Sequence, residues 1–206
     1  MTDDSTSEDA VAWTTRETEI EYANPGFGVR RDDVTLPDGT ETDYHYVDEP
    51  PAAVILPFTS SGEVVLIEEW RQAVGRVNRG VPAGTLERAD GGDEAPWFDL
   101  DAAFESPERA ARRELGEETG YEAGNLAHLT SVEPSNGVAD SVHHHFLARG
   151  CEPSGTQRLD DDESIRVTTA DFDDLRAAVR DGDVRDGRTV IAVLQLLASD
   201  HAVPTA

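Results

Sequence analysis

The residues best suited to chemistry are three glutamates near the middle of the chain. At 100° per residue, Glu114, Glu117 and Glu118 (hereafter the helix glutamates) fall within one narrow arc of an α-helix. Crowded carboxylates repel each other unless a cation lies between them, and hard divalent cations prefer carboxylate ligands. Arg113 precedes Glu117 by one helical turn, a spacing that lets it orient that side chain.

The surrounding residues predict the helix that positions these glutamates. Ser106 is a good N-cap, and Pro107 stands in the first turn, where its missing N–H group would be unpaired in any case. Gly120 can adopt the left-handed conformation that ends a helix, and Leu115 is free to face a core. The alternative is a merely solvated acidic face, because the whole chain is acidic.

A longer motif decides between these alternatives. Residues 113–121 read Arg-Glu-Leu-Gly-Glu-Glu-Thr-Gly-Tyr, which matches every specified position in the second half of the Nudix box, Arg-Glu-apolar-x-Glu-Glu-x-Gly-apolar. The chain therefore resembles the Nudix hydrolases. The resemblance implies an α+β fold, a Nudix-type α/β/α sandwich around a mixed sheet.

The rest of the chain divides into segments. Residues 1–12 are predicted to be a disordered acidic tail, and residues 13–47 an N-terminal antiparallel strand unit. Residues 48–200 form the expected Nudix domain, with an acidic insertion at 88–104. Within that domain we predict strands at 52–58, 64–67, 126–133, 142–148 and 165–167, helices at 171–182 and 189–199, and a loop between residues 72 and 81.

The charge balance excludes whole classes of partner. The 206 residues include 43 acidic and 17 basic side chains, giving a formal net charge of −26, and every basic residue is arginine. Such a surface repels nucleic-acid backbones and anionic membranes, so neither is an expected partner. Dense Asp and Glu without lysine favours a halophilic source, because high salt screens the repulsion. An acidic protein of ordinary cytosol is the alternative.

The single cysteine and the N-terminus bear on location. Cys151 has no partner for an internal disulfide, which fits a reducing compartment, and nothing around it resembles a nucleophile motif. The N-terminus has neither the basic nor the apolar region of a secretion signal, and no apolar run is long enough to span a bilayer. A cytoplasmic location is therefore expected.

The first half of the box departs from the family pattern. Glu105 stands at the family's distance before Arg113, but the residue six positions earlier is Asp99 rather than glycine. The matching glycine is Gly84, in a Pro-Ala-Gly tripeptide typical of the branch that resembles ADP-ribose and ADP-sugar pyrophosphatases. This alignment makes the loop about 15 residues longer than usual and leaves the role of Glu105 open.

The resemblance also implies a metal site. The expected ligands are the helix glutamates and the backbone carbonyl of Ala83, with Mg²⁺ as the metal and Mn²⁺ as a substitute. A divalent cation neutralises pyrophosphate oxygens and lowers the pKa of a bound water, which is why hydrolysis of this bond uses one. Ala83 and Gly84 are expected to contact the substrate.

A general base is still required. In this branch it comes from a mobile acidic loop before a late strand, which here is the segment 160–163. Glu163 is the first candidate and Asp161 the second, because longer reach and favourable spacing argue in different directions. Glu117 and Arg113 complete the expected catalytic set. A solvated acidic loop is the alternative.

An anionic substrate needs local positive charge in so acidic a chain. Arg71 is the best candidate, because Trp70-Arg71-Gln72 resembles the Arg-Gln-Tyr-Arg region of ADP-sugar pyrophosphatases. A surface salt bridge is the alternative. The family's glutamate before the apolar-Pro-Ala-Gly run is replaced here by Gly80.

The triplet His143-His144-His145 suggests a zinc site at first sight. Adjacent strand residues point to opposite faces, however, so three of them cannot converge on one metal from a regular strand. We expect a structural role for these histidines.

The sequence as a whole predicts an enzyme. The expected reaction is hydrolysis of the pyrophosphate bond in an ADP-ribose-like nucleoside diphosphate sugar, giving a nucleoside monophosphate and a sugar phosphate. The alternatives are hydrolysis of another nucleoside diphosphate derivative or a nucleoside triphosphate, and a non-catalytic Nudix sensor of nucleotide sugars. By resemblance, residues 13–47 are expected to form a homodimer.

Overall fold

The computed structural model of the protein describes residues 10–89, 103–160 and 163–204. These residues form two compact units. The first contains residues 10–50 and 135–141, and the second contains the rest of the described chain. Most of the predicted tail and of the predicted 88–104 insertion lies outside the described residues.

The first unit is built on a three-stranded antiparallel sheet, which confirms the predicted N-terminal strand unit. Its strands are β1 (Thr14–Ala23), β2 (Gly28–Thr35) and β3 (Glu41–Asp48), in the order β1-β2-β3. The turn between β2 and β3 contains Gly39 with a φ of 85°, a left-handed conformation that glycine adopts without steric cost. Every residue of β1 is exposed.

The second unit is built on a mixed sheet. Strand β10 pairs with β4 in parallel, and the other pairings of this sheet among the described residues are antiparallel. Its strands are β4 (Ala52–Thr59), β5 (Val64–Arg71), β6 (Arg76–Gly80), β7 (Ala83–Thr85), β8 (Tyr121–Glu122), β9 (Asn125–Val132), β10 (His143–Pro153) and β11 (Ile165–Ala170).

Helices cover both faces of this sheet, so the predicted α+β sandwich is confirmed. They are α1 (Pro107–Thr119), α2 (Phe172–Asp181) and α3 (Gly187–Ala198). Side chains alternate along β4, so Ile55 packs with α1 while Leu56 packs with α2 and α3. Among these described helices, none combines the length and the apolar character that crossing a membrane requires.

The predicted strands of the sheet need two kinds of correction. The segment expected to be a loop between residues 72 and 81 contains strand β6, which pairs with the end of β5. A short 3₁₀ turn at Gln72–Val74 joins the two strands, and Gly75 ends that turn with a φ of 64°. Three strands also continue beyond their predicted ends at residues 67, 148 and 167: β5 as far as Arg71, β10 as far as Pro153 and β11 as far as Ala170.

Candidate active site

Helix α1 has the boundaries that its sequence predicts. The Ser106 hydroxyl accepts a hydrogen bond from the Arg109 N–H group at 3.3 Å, and Gly120 ends the helix in a left-handed conformation with a φ of 72°. Leu115 is fully buried against the sheet, so its truncation to alanine would cost about 2–5 kcal/mol. This anchorage holds the helix glutamates on a rigid element.

Two of the helix glutamates are buried and one is not. Glu114 is 8% exposed and Glu118 is 3% exposed, and the two lie one helical turn apart on the same face. Glu117 keeps a half-buried side chain beside them. Burying a carboxylate is costly unless a cation or hydrogen bonds compensate its charge, so both side chains need such partners.

Burial changes the protonation of both residues. It raises the pKa of Glu114 to about 7 and that of Glu118 to about 8, from a usual value of 4.5. The Glu114 carboxylate adds to the effect of burial on Glu118, because two neighbouring negative charges disfavour each other. A cation bound between the two carboxylates would offset both the cost of their burial and their mutual repulsion, the two causes of the raised pKa values.

The Pro-Ala-Gly turn lies directly against this pair. The Ala83 N–H group donates a hydrogen bond to Glu118 Oε2 at 2.9 Å. A Cβ atom on Gly84 would overlap the carboxyl group of Glu114, so a larger residue at that position would require this carboxyl group to move. The structure therefore brings Ala83 and Gly84 together with two of the helix glutamates.

Arg113 is the centre of an ion-pair network on the same helix. Its Nη1 donates to Glu114 Oε1 at 2.8 Å and to Glu117 Oε2 at 3.0 Å, and its Nη2 donates to the Thr85 carbonyl at 2.9 Å. Burial alone would lower the pKa of Arg113, but the hydrogen bond to Glu105 and the charge of Glu114 raise it overall. This guanidinium orients two glutamates and ties them to strand β7.

Glu105, whose role the sequence left open, is part of this network. It is 7% exposed, and its Oε1 accepts hydrogen bonds from Arg113 Nη2 at 2.7 Å and from the Glu87 N–H group at 3.1 Å. Backbone hydrogen bonds between residues 87 and 105 and between residues 89 and 103 close the base of the long loop. Glu105 thus keeps its place beside Arg113 although the loop is lengthened.

Positive charge also lies near Glu118. Arg71 at the end of β5 pairs with Glu69 at 2.7 Å, and Arg188 in the first turn of α3 pairs with Asp186 at 3.3 Å. Burial lowers the pKa of Arg71, and the nearby charge of Arg188 lowers it further, so the two guanidinium groups are close enough to repel each other. An anion between them would relieve that repulsion.

The sequence did not predict Arg188 as a residue of the candidate active site. Arg188 is 117 positions from Arg71, and only the folded structure, in which the start of α3 lies against the end of β6, brings the two charges together. Asp186 caps α3 by accepting a hydrogen bond from the Thr189 N–H group at 3.0 Å, which places Arg188 in the first turn of the helix. An Asp cap just before a helix was the one signal available, and it indicates a helix start rather than a binding residue.

The acidic loop approaches the same cluster. The charge of Glu163 contributes to the raised pKa values of Glu114 and Glu118, so this carboxylate lies near them. Gln157 ties the loop to the helix by donating to the Glu118 carbonyl at 2.7 Å. Asp161, the second candidate base, lies outside the described residues.

The donor set fits a divalent cation in its chemistry. Glu114 and Glu118 offer buried oxygen ligands on one face, which hard cations prefer. Within the part of the chain that the structure describes, no three His, Cys, Asp or Glu side chains already surround one point. Glu117 accepts from Arg113 and is 3.5 Å from Arg158, so it joins the set only by leaving these partners.

The histidine triplet does not converge on one point. His144 Nδ1 is 2.8 Å from the Ser131 hydroxyl, while the rings of His143 and His145 lie 6.5 Å apart on the other face of β10. His145 is fully buried, and neither ring nitrogen has a hydrogen-bond partner among the described residues. Burial and the charge of His143 lower the pKa of His145 to about 4, so this ring is neutral.

The sandwich fold and the carboxylate helix facing a Pro-Ala-Gly turn define a class of protein. The chain belongs to the Nudix family: residues 48–192 match the NUDIX domain, and residues 13–47 match the nucleoside diphosphate sugar hydrolase N-terminal domain.

Individual relatives fall in the same group. The ADP-ribose pyrophosphatase of Bacillus subtilis (strain 168) is 32% identical over 166 residues, which cover 80% of this chain and 82% of the relative. The GDP-mannose pyrophosphatase of Escherichia coli (strain K12) is 34% identical over 155 residues, 73% of this chain and 74% of the relative. The crystal structure of an ADP compounds hydrolase shares the fold, with a TM-score of 0.71 at 21% identity over 90% of this chain and 92% of that one.

Proposed function

We propose that this protein hydrolyses the pyrophosphate bond of an ADP-ribose-like nucleoside diphosphate sugar, producing a nucleoside monophosphate and a sugar phosphate. The observation that carries the proposal is the buried pair Glu114 and Glu118, which lies against a Pro-Ala-Gly turn and near two guanidinium groups. Negative ligands for a cation and positive ligands for an anion meet there, as a metal-dependent reaction on a pyrophosphate requires.

The metal would be held by the helix glutamates together with the backbone carbonyl of Ala83, and we propose Mg²⁺, with Mn²⁺ as a substitute. A divalent cation, when bound, neutralises pyrophosphate oxygens and lowers the pKa of water. Arg113 positions Glu117 and Glu114 through its hydrogen bonds of 3.0 and 2.8 Å. Glu105 in turn holds the Arg113 guanidinium from the other side, at 2.7 Å.

Glu163 is the proposed general base, with Asp161 as the second candidate. Support for Glu163 comes from its proximity to Glu114 and Glu118, whose pKa values it raises. Its Oε2 accepts a hydrogen bond from the Asp160 N–H group at 3.1 Å, which restrains the carboxylate. A carboxylate at this point can accept a proton from water that attacks phosphorus.

Arg71 and Arg188 are the proposed ligands for the pyrophosphate, and Ala83 and Gly84 are the proposed backbone contacts with the substrate. Each guanidinium is already oriented by one carboxylate, Glu69 or Asp186. The two positive groups approach from different elements, β5 and α3, so they can grip a diphosphate from two sides.

GDP-mannose is a second candidate substrate, because a GDP-mannose pyrophosphatase is 34% identical to this chain. A substrate panel of ADP-ribose, GDP-mannose and dATP with Mg²⁺, analysed by anion-exchange chromatography, distinguishes these activities. We expect AMP and ribose 5-phosphate from ADP-ribose, with a kcat/KM at least about tenfold above that for dATP. Preference for dATP would overturn the proposal. Preference for GDP-mannose would keep the substrate class, nucleoside diphosphate sugars, and change only the preferred member of that class.

We also propose a homodimer that works in a salt-rich cytoplasm. The exposed apolar side chains Trp13, Ile20 and Tyr22 on and beside β1 support association through the N-terminal sheet. The net charge of −26 supports a high-salt setting. Sedimentation equilibrium and hydrolysis rates from low to molar KCl test both: a monomer at all salt concentrations, or loss of activity in molar KCl, would contradict them.

A further inference from the structure

Three arginines line a cavity that the proposed reaction does not use. The cavity has a volume of about 310 Å³ and lies between strand β6 and the turn that follows α2. Its lining consists of Arg76, Val77, Asn78, Arg79, Gly182, Asp183 and Arg185.

Most arginines in the described chain pair with carboxylates, but the three arginines of the cavity do not. Arg76 Nε donates to the Asn78 side-chain oxygen at 3.0 Å, and Arg185 Nε donates to the Gly182 carbonyl at 3.2 Å, so both bind neutral acceptors. Arg79 forms no ion pair with any described carboxylate, although acidic residues outnumber basic ones by 43 to 17. Unpaired guanidinium groups gathered around a cavity favour an anionic ligand.

The lining restricts the ligand further. Three arginines and Asp183 leave two net positive charges, which match the charge of a phosphomonoester near neutral pH. Among the described lining residues, none is aromatic and able to stack a nucleobase, and Val77 is the one large apolar side chain. The volume is at the small end of ligand pockets, so a small hydrophilic anion fits better than a nucleotide.

The cavity adjoins the candidate active site through two connections. Arg76 is the cross-strand partner of Arg71, which places their Cα atoms roughly 5 Å apart and their side chains on the same face of the sheet. Arg185 is followed within three residues by Arg188. Strand pairing and chain connection thus link two arginines of the cavity with Arg71 and Arg188 of the candidate active site.

We propose that this cavity is a phosphomonoester site that binds a sugar phosphate beside the catalytic cluster. The identification of that ligand as the reaction product rests on the proposed function, whereas the phosphate-binding chemistry rests on the arginines alone. A free phosphate ion shares this chemistry, so both ligands are needed in the test.

The test is isothermal titration of the full-length protein carrying Glu118→Gln, in EDTA, with ribose 5-phosphate and separately with inorganic phosphate. Under these conditions neither a bound cation nor turnover contributes to the signal. Arg79→Ala and Arg185→Ala are each added to this background. Arg176→Ala is the matched control, because it removes the same charge from an exposed ion pair on α2.

We expect saturable binding that Arg79→Ala and Arg185→Ala each weaken at least about tenfold, while Arg176→Ala leaves it within twofold. Tighter binding of ribose 5-phosphate supports the product as the occupant, and equal binding of both ligands supports a site for the phosphate group itself. The absence of binding, or binding that both cavity variants leave within twofold, overturns the proposal. The binding experiment does not depend on hydrolysis. Its result can therefore be interpreted even if the protein does not catalyse the proposed reaction.

Discussion

We expect Glu118→Gln to make the metal-free protein more stable at alkaline pH, although the substitution changes a residue of the candidate active site. The folded-state pKa of Glu118 is raised from 4.5 to about 8. A carboxyl group with a raised pKa contributes stability below pH 4.5, and that contribution is lost as the pH rises through 8. At about pH 9 the side chain is a buried anion, and glutamine removes this charge while keeping an oxygen that can accept from Ala83.

The magnitude follows from the size of the pKa shift. A difference of about 3.5 pKa units corresponds to about 5 kcal/mol of unfolding free energy in the ionised state. Relaxation of the side chain toward solvent reduces that figure, so we expect the variant to gain at least about 2 kcal/mol in EDTA. Relief of the neighbouring Glu114, whose pKa is also raised, contributes in the same direction.

Urea denaturation at about pH 9, in EDTA and in saturating Mg²⁺, measures this effect. Mg²⁺ should stabilise the wild type substantially, because it binds the folded carboxylates, and should stabilise Glu118→Gln much less. Glu108→Gln is the matched control: it makes the same chemical change at an exposed position of the same helix and should alter neither quantity.

Two results would contradict the claim that Glu118 is a buried cation ligand held at an electrostatic cost. The first is a Glu118→Gln protein that is less stable than the wild type in EDTA at about pH 9. The second is stabilisation by Mg²⁺ that is equal in the two proteins. Either result would mean that the buried carboxylate is not a cation ligand held at an electrostatic cost.

Three further substitutions test other parts of the site and fold. Gly84→Ala brings a methyl group against the Glu114 carboxyl group and displaces it. We expect steady-state kinetics to show a kcat lowered at least about tenfold, and urea denaturation to show a loss of about 1–3 kcal/mol in unfolding free energy. Unchanged kinetics would contradict the close approach of Gly84 to Glu114. Glu163→Gln should lower kcat by about 10²–10⁴ while stabilisation by Mg²⁺ persists, and a normal kcat would exclude Glu163 as the base. Because the pKa of His145 is lowered from 6.5 to about 4, the unfolded state takes up the proton first, so stability should fall by about 3 kcal/mol as the pH drops from 6.5 to 4. Urea denaturation of His145→Leu should show a weaker dependence of the unfolding free energy on pH between 6.5 and 4. An unchanged dependence would assign the acid sensitivity to other groups.

Local sequence signals predicted the helix and most of the sheet. Ser106, Pro107 and Gly120 mark the ends of α1 because capping depends on residues close in sequence. The apolar run of β4 predicts a strand covered on both faces, and the structure has α1 on one face and α3 on the other.

Features that depend on distant partners were not predictable in this way. Strand β6 has the sequence Arg-Val-Asn-Arg-Gly, which has little apolar alternation, and it forms by pairing with the end of β5. The contact of Glu105 with Arg113 spans eight residues across a helix start, beyond the range of helical spacing rules. The proximity of Arg188 and Arg71 depends entirely on how α3 packs.

Hydrolysis of ADP-ribose by the wild type and by Glu118→Gln, with Mg²⁺ and with EDTA, tests whether the helix glutamates form a catalytic metal site; the products are separated by chromatography. We expect AMP and ribose 5-phosphate from the wild type with Mg²⁺. We expect neither product above background in EDTA or from the folded variant. Hydrolysis by the wild type in EDTA, or a near-wild-type kcat for Glu118→Gln, would contradict the claim that the helix glutamates form a catalytic metal site.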